Sequence, residues 1–173
     1  MFSSTVWLHP KASNKLIGYA DADWAGNISD RKSTSGFCFY VGKGIVSWRS
    51  SKQSCVALST AEAELISLSS AAQEAVWLGK LLKDLGNMDD EAIKIFEDNI
   101  NNSTISLVKS FKNHAKLKHV DIKYKFTSEL IKDGKIQVFY CPSDENCSDI
   151  FTKPLSIDKF RKFRDLLGVV SFE

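Results

Sequence analysis

The residues with the clearest capacity for chemistry in this chain are carboxylates that follow apolar segments. The apolar run 16–20 leads directly into Asp21 and Asp23, and the segment is broken at Gly26. Unpaired carboxylates cost several kcal/mol to bury, so acids delivered by a buried strand need a compensating charge. Three further acids follow apolar or helical segments in the same way: Glu64, Asp98 and Asp149. We interpret these carboxylates as side chains that meet around a divalent metal ion.

The elements that must position these acids are predicted to be short strands and a few helices. Gly42-Lys43-Gly44 lies between two short apolar runs, which predicts an antiparallel hairpin with a tight turn. Later strands are separated by helical segments, and this order predicts a mixed sheet with helices on its faces. The predicted strands are 16–20, 36–41, 45–48, 93–96 and 136–140.

The longest predicted helix carries one of the acids. Ser59, followed three residues later by Glu62, fits a capping box that opens a helix. Apolar residues then keep a three-four spacing until the glycine at 86 ends the helix. Glu64 lies on the shoulder of this apolar stripe, where a solvated flank is the commoner environment. Further helices are predicted over 103–110, 119–131 and 158–167, and the segment that carries Asp149 is also predicted to be helical.

Composition indicates one globular domain. A chain of 173 residues with 43% hydrophobic residues buries roughly 70% of its unfolded surface, which is enough for its own core. The net charge of +2 is too small to indicate a nucleic-acid partner. The segment 109–135, however, has eight lysines and three acids, 8 − 3 = +5, which makes it a candidate phosphate-binding surface. A solvated helix face is the alternative interpretation.

The four cysteines show neither a CxxC pair nor the histidine spacing of a zinc site. They are typical of reduced thiols in a cytoplasmic or nuclear protein. The sequence has no signal-peptide pattern and no apolar run near the roughly 20 residues that a membrane span needs. We therefore predict an intracellular protein without a membrane partner.

Five sequence blocks identify a resemblance to a known family. In order along the chain, they are Gly18-Tyr-Ala-Asp-Ala-Asp-Trp-Ala-Gly26, Arg31-Lys-Ser-Thr-Ser-Gly36, Leu58-Ser-Thr-Ala-Glu-Ala-Glu64, Lys118-His-Val-Asp-Ile122 and Ser148-Asp-Ile-Phe-Thr-Lys-Pro-Leu155. Glu97-Asp98-Asn99 lies between the third and fourth blocks, at a predicted strand end. The chain resembles the ribonuclease H domain that ends the Pol polyprotein of copia-type retrotransposons.

This resemblance implies an α/β, ribonuclease H-like fold with a five-stranded mixed sheet and helices on both faces. It also implies metal-dependent hydrolysis of the RNA strand of an RNA–DNA hybrid, with two Mg²⁺ ions for which Mn²⁺ can substitute. The residues implied as catalytic metal ligands are Asp21, Glu64, Asp98 and Asp149. Two choices stay open: Asp23 is an alternative to Asp21, and Glu62 is an alternative to Glu64.

The resemblance further implies how the domain meets its partners. The residues expected at the hybrid backbone are Lys116, Lys118, His119 and Lys123, with His119 in a structural or phosphate-contacting role rather than as a proton shuttle. The reverse transcriptase region of the same polyprotein is the expected neighbour. An inactive transposon-derived fragment is the first alternative function, and another nuclease or an integrase of the same fold is the second.

We expect a lead-in over 1–14, the ribonuclease H-like domain over 15–155, and a C-terminal helix and tail over 156–173. Trp24, Trp48 and Trp77 are predicted to lie in the core rather than to serve as stacking surfaces for bases.

Overall fold

A mixed sheet of five strands carries the candidate site. The computed structural model describes residues 15–86, 91–98 and 118–169. The strands are β1 (Leu16–Asp23), β2 (Thr34–Val41), β3 (Gly44–Lys52), β4 (Ile93–Glu97) and β5 (Ile136–Tyr140). The helices of the described residues are α1 (Thr60–Asp84), α2 (Lys118–Lys132), the 3₁₀ helix η1 (Cys147–Phe151) and α3 (Ile157–Leu166).

The strands lie in the order β3-β2-β1-β4-β5, so that β1 is central. β1 pairs antiparallel with β2 and parallel with β4, and β4 pairs parallel with β5. The predicted hairpin of β2 and β3 is confirmed as an antiparallel pair, with Gly42 at a φ of 62° in its turn. The predicted fold class and its mixed sheet are therefore confirmed.

β1 is longer than the apolar run that predicted it. Pairing with β2 continues past Ala20, because Asp21 lies opposite Gly36 and Asp23 lies opposite Thr34. Asp21 is consequently held inside a paired strand rather than in the loop that follows it. The paired strand fixes the backbone of Asp21, so its side chain has a defined position relative to acids from other elements.

The first face of the sheet is covered by α1 and α2. Ser59 caps α1 as predicted, since its hydroxyl accepts the backbone N–H of Glu62 at 3.2 Å. Apolar residues from α1, the strands and α2 then form the main core, and Leu68, Ala72 and Ile95 are among its buried members. The apolar residues at three-four spacing in α1 are the ones that pack against this face of the sheet.

The second face of the sheet is covered by η1 and α3. Phe163 of α3 is fully buried and shares a cluster with Cys38 of β2 and Cys147 of η1. The C-terminal helix therefore packs on the same sheet that carries the acids. The domain bounds expected from the sequence, including 156–173 as a separate tail, stay predictions.

The prediction that three tryptophans lie in the core is wrong. Trp24 is 44% exposed, Trp48 58% and Trp77 57%. Trp24 lies in the loop after β1 and donates its indole N–H to the Ala57 carbonyl at 3.1 Å, so its ring is held at the surface. Trp48 lies on the edge strand β3, and Trp77 lies on the side of α1 that faces away from the sheet, between the buried Ala75 and Leu78.

The predictions about the cysteines and about a membrane span concern residues that the structure describes. Cys38, Cys55, Cys141 and Cys147 are all free thiols, as expected from their spacing. None of the helices among the described residues combines the length and the hydrophobicity that a membrane span requires. The helix predicted over 103–110 lies outside the described residues.

Candidate metal centre

Three of the predicted acids meet at one edge of the sheet. Asp21 of β1, Asp98 directly after β4, and Asp149 of η1 each offer a carboxylate oxygen, and these oxygens all lie within 4.8 Å of one another. β1 and β4 are parallel neighbours, so their carboxyl ends lie at the same edge. We refer to Asp21, Asp98 and Asp149 as the aspartate triad.

Asp21 is almost fully buried, at 1% exposure. Its Oδ2 accepts a hydrogen bond from the Thr152 hydroxyl, whereas its Oδ1 has no hydrogen-bond partner among the described residues. In the part of the chain that the structure describes, Asp21 is paired with the Lys153 ammonium, whose Nζ lies 3.7 Å from Oδ1. A cation bound here would supply the partner that this buried carboxylate oxygen lacks.

Asp149 is brought to the triad by the cap of η1. Asn146 caps η1 by accepting the Ser148 N–H, and its amide donates to the Ala20 carbonyl at 2.9 Å. This bond ties η1 to β1 at the residue before Asp21. Asp149 is therefore positioned by a buried side chain that contacts the strand carrying its partner.

Close approach of η1 to the sheet requires a glycine on β2. Gly36 lies opposite Asp21, and a Cβ added there would come within 2.6 Å of Thr152 Cγ2 and 2.9 Å of Phe151 Cβ. Any side chain at 36 would push η1, and Asp149 with it, away from β1.

Two lysines compensate the buried charge of Asp149. Lys153 Nζ lies 2.9 Å from its Oδ1, and Lys159 Nζ lies 2.7 Å from its Oδ2. Burial is the largest single influence on the pKa of Lys153 and lowers it, but the contact with Asp149 and the charge of Asp21 together outweigh burial and raise this pKa. Asp98 is more exposed than the other two acids and accepts the Ser143 hydroxyl at 2.6 Å.

The electrostatics of the triad favour a cation. Burial is the largest cause that raises the pKa of Asp21 to about 6; the Thr152 hydrogen bond lowers it and the Asp149 charge raises it further. A positive charge nearby stabilises the ionised form of such a carboxyl group. Three oxygen donors at one edge suit Mg²⁺ or Mn²⁺, which take carboxylate and water ligands.

Glu64 does not join the triad. It is buried on α1, contrary to the solvated flank that its position favours, and it lies close enough to the buried Glu97 of β4 for the two charges to repel. Burial, and then the charge of Glu97, raise the pKa of Glu64 well above its usual range. Its pKa is also raised by the charges of Asp21 and Asp98, so Glu64 lies near the triad without belonging to it.

Glu97 is a site residue that sequence reasoning did not assign. It is 1% exposed, and burial followed by the charge of Asp98 raises its pKa. The two-residue period of a β-strand could have predicted its burial, because Ile93, Ile95 and Glu97 share the face of β4 that packs on α1. Thr152 and Lys153 belong to a sequence block that was recognised without assigning them a role, and Lys159 had no sequence signal.

The two alternative ligands have other roles among the described residues. The Asp23 carboxylate lies over the loop, since a Cβ on Gly26 would fall 1.8 Å from its Oδ2. Glu62 is occupied by the cap of α1, because its Oε2 accepts the Leu58 N–H at 2.9 Å. Neither belongs to the aspartate triad.

The predicted nucleic-acid residues are only partly described. Lys123 is half-buried on α2. Lys118 and His119 lie in the first turn of α2, and their side chains lie outside the description, as does the whole of Lys116.

Comparison with known sequences gives relatives over nearly the whole chain. The Retrovirus-related Pol polyprotein from transposon TNT 1-94 of Nicotiana tabacum is 38% identical over 156 residues, which are 90% of this chain and 12% of that protein. The corresponding polyprotein from transposon RE2 of Arabidopsis thaliana is 34% identical over 165 residues, 95% of this chain and 11% of that protein. The chain thus spans only 12% and 11% of the length of these curated relatives. No protein-family model matches the chain.

Comparison with solved structures shows the ribonuclease H-like fold. RNase H1 from Halobacterium salinarum NRC-1 superposes with a TM-score of 0.52 at 17% identity, covering 80% of this chain and 94% of that one. LC11-RNase H1, solved in complex with an RNA/DNA hybrid, gives a TM-score of 0.51 at 16% identity, with the same coverage of 80% and 94%.

Proposed function

We propose that this chain, a ribonuclease H-like domain related to the Pol polyproteins of copia-type retrotransposons, is a metal-dependent endoribonuclease that cleaves the RNA strand of RNA–DNA hybrids. The observation that carries the proposal is the aspartate triad, whose buried Asp21 Oδ1 has no hydrogen-bond partner among the described residues. Oxygen-only donor sets of this kind suit hard divalent cations.

Mg²⁺ is the proposed cofactor, as two ions, with Mn²⁺ as a substitute. Asp21, Asp98 and Asp149 would hold it, and Glu64 would complete the set if its carboxyl turned from Glu97 toward the triad. Divalent ions at such a site supply stabilisation for the charge that develops on a phosphodiester during hydrolysis.

The protein's own residues prepare this edge of the sheet. Thr152 orients Asp21 by donating to its Oδ2, and Ser143 orients Asp98 in the same way. The Lys153 ammonium lies between Asp149 and Asp21 and compensates the charge of Asp149 more fully than that of Asp21, since its Nζ is 2.9 Å from the first and 3.7 Å from the second. The triad is thereby fixed before a substrate arrives, which reduces the reorganisation that the reaction needs.

RNA–DNA hybrid is the proposed partner. A neighbour of the same fold, LC11-RNase H1, was solved with an RNA/DNA hybrid, and the triad supplies a phosphodiester chemistry that fits such a substrate. Lys116, Lys118, His119 and Lys123 are the proposed backbone contacts. Because the relatives are Pol polyproteins, the reverse transcriptase region of such a polyprotein is a proposed neighbour.

A fragment that folds and binds hybrid without cleaving it is the second candidate. The place of Glu64 favours it, because only three of the four expected metal ligands meet in the triad. A third candidate, another nuclease or an integrase of the same fold, would act on DNA.

A cleavage assay separates these candidates. The purified chain is incubated with labelled hybrid, single-stranded RNA or DNA duplex, in Mg²⁺, Mn²⁺ or a chelator, beside the D149N variant. We expect cleavage of RNA in the hybrid alone, dependent on metal and lost in D149N. Hybrid binding without cleavage would favour the second candidate, and cutting or joining of DNA would favour the third.

A further inference from the structure

The C-terminal helix contributes a side chain to the metal centre. Lys159, in the first turn of α3, places its Nζ 2.7 Å from Asp149 Oδ2. Asp149 is 0% exposed and the Lys159 side chain only 24%, so the ion pair is largely shielded from water. Ion pairs of this kind are screened much less by salt than surface pairs are. The contact therefore ties α3 directly to one member of the aspartate triad.

The direction of Lys159 is set by the packing of α3. Phe163, one turn later on the same face, is fully buried in the cluster with Cys38 and Cys147. Lys159 Nζ lies 5.4 Å from the centroid of the Phe163 ring. Phe163 thus anchors the helix and also supports the lysine that reaches Asp149.

The two lysines at Asp149 approach it from different sides. Lys153 bridges two members of the triad, at 2.9 Å from Asp149 Oδ1 and 3.7 Å from Asp21 Oδ1. Lys159 pairs with no other member of the triad among the described residues, and its second partner is the exposed Asp144 at 3.5 Å. A cation that entered between Asp21 and Asp149 would replace Lys153 but would leave the contact of Lys159 intact.

We propose that Lys159 is a positioning residue that holds Asp149 through Oδ2 and so keeps Oδ1 directed at Asp21. The helix α3 would then be needed for metal binding at the triad and would not be a separate C-terminal tail. This inference rests on the proposed function, because it assumes that the triad binds a divalent ion. Partners that orient a metal ligand from behind typically change metal affinity by 10- to 100-fold when they are removed.

The test uses Lys159→Met, Lys159→Arg and a matched control, Lys162→Met. Lys162 lies on the same helix, 5.9 Å from the Phe163 ring, and its hydrogen-bond partner within the described ranges is the Asp144 carbonyl, not the triad. Mn²⁺ affinity is measured without substrate by electron paramagnetic resonance, and hybrid cleavage is measured on the same preparations for kcat and KM. Thermal melts in chelator check that each variant folds, and Lys159→Gln replaces Lys159→Met if that variant does not.

We expect K159M to weaken Mn²⁺ binding about 10-fold, K159R to restore it, and K162M to bind as the wild type does. kcat should fall in K159M while KM for the hybrid stays unchanged. A K159M variant that binds Mn²⁺ as tightly as K162M, or more tightly because a competing charge is gone, would overturn the inference. A wild type that binds no Mn²⁺ would also overturn it.

The two proposals fail in different ways. If the wild type binds Mn²⁺, K159M binds it weakly and neither cleaves hybrid, then the positioning role stands and the proposed function fails. If the wild type cleaves hybrid and K159M equals K162M in affinity and kcat, the proposed function stands and the positioning role fails.

Discussion

At the scale of residues, the acids of this site differ in how their charge is compensated. Asp149 has two ammonium partners, whereas Asp21 has one hydroxyl and a lysine at 3.7 Å. Glu64 and Glu97 are buried near each other, and the Oε2 atom of each has no hydrogen-bond partner among the described residues. Uncompensated charge is therefore concentrated around Asp21 and the glutamate pair. That imbalance should couple the stability of the fold to pH and to metal.

The first prediction is the pH dependence of stability in chelator. The pKa of Asp21 is raised from 3.8 to about 6, so the folded chain binds this proton more tightly than the unfolded chain does. The corresponding stability is complete below pH 3.8, amounts to roughly 3 kcal/mol, and is lost as the pH rises through 6. We expect urea melts to give a free energy of unfolding that is lower at pH 7.5 than at pH 5 by roughly 1 kcal/mol from Asp21 alone.

The raised pKa values of Glu64 and Glu97 act in the same direction. D21N is the control: it keeps an acceptor for Thr152 but has no proton to lose, so the fall in stability should become smaller. Saturating Mg²⁺ should also reduce the fall. Equal stability at the two pH values, or the same fall in D21N, would contradict the assignment of the raised pKa to Asp21.

The second prediction concerns Asp98→Asn. The substitution keeps shape and the acceptor for Ser143 but removes one negative charge from the triad. In chelator the melting temperature should stay the same or rise slightly, because repulsion between the acids is reduced. Mg²⁺ affinity should fall, and hydrolysis should drop by orders of magnitude while hybrid binding persists. A variant that melts early yet cleaves hybrid at the normal rate would show that Asp98 has a structural role only.

At the scale of elements, the site depends on how closely η1 can approach β2. The third prediction uses two glycines that are crowded in different places. A Cβ at Gly36 would meet Thr152 and Phe151 of the η1 segment, whereas a Cβ at Gly18 would meet the Phe39 ring in the core at 2.4 Å. Overpacking of this kind costs typically about 1–3 kcal/mol, so both alanine variants should be destabilised.

Only G36A should also weaken Mn²⁺ binding, because only that variant displaces the element carrying Asp149. Chemical denaturation gives the loss of stability for each variant, and a Mn²⁺ titration gives the affinity. Equal effects on metal binding in G36A and G18A would mean that the position of η1 does not control the site.

The elements also show which features a sequence can predict. Five strands and the long helix follow from alternation, three-four spacing and turn residues, all of which act locally. Asp21, Asp98 and Asp149 were candidates because each follows an apolar or helical segment, and the resemblance to the family then favoured Asp21 over Asp23. The proximity of Glu64 to Glu97, and the reach of Lys159 to Asp149, depend on how α1 and α3 lie across the sheet, and no local spacing encodes that.

Exposure was the other feature that sequence reasoning misjudged. Trp24, Trp48 and Trp77 are large apolar residues, and burial was the natural expectation for them. Each lies instead at an exposed position of its element. Trp24 lies in a loop that is hydrogen-bonded to Ala57, Trp48 lies on an edge strand, and Trp77 lies on the outer side of α1. Residue type alone does not reveal which side of an element is occupied.

At the scale of the whole molecule, the charge is divided between two regions. The acids gather at one edge of the sheet, while the segment 109–135 carries a net charge of +5 in a chain whose total is only +2. Some of that positive charge is internally paired, for example Lys125 with Asp121 at 2.8 Å on α2. A hybrid would need to present its backbone to the basic region while one phosphodiester reaches the triad.

The last prediction tests that division of charge. Replacing Lys116, Lys118 and Lys123 with alanine removes three proposed phosphate contacts, each of which would release a counterion. Hybrid binding, measured by fluorescence anisotropy between 50 and 200 mM salt in chelator, should weaken. The slope of log affinity against log salt should become shallower by about 2 to 3, since each contact contributes about 0.7 to 0.9. A matched variant without Lys43, Lys80 and Lys94, which are all exposed and all lie outside the segment 109–135, should keep the wild-type slope. Mn²⁺ binding should be unchanged in both variants, because none of these lysines is a proposed metal ligand or a partner of one. An unchanged slope in the triple variant would mean that those lysines face solvent and that the hybrid is held by another surface.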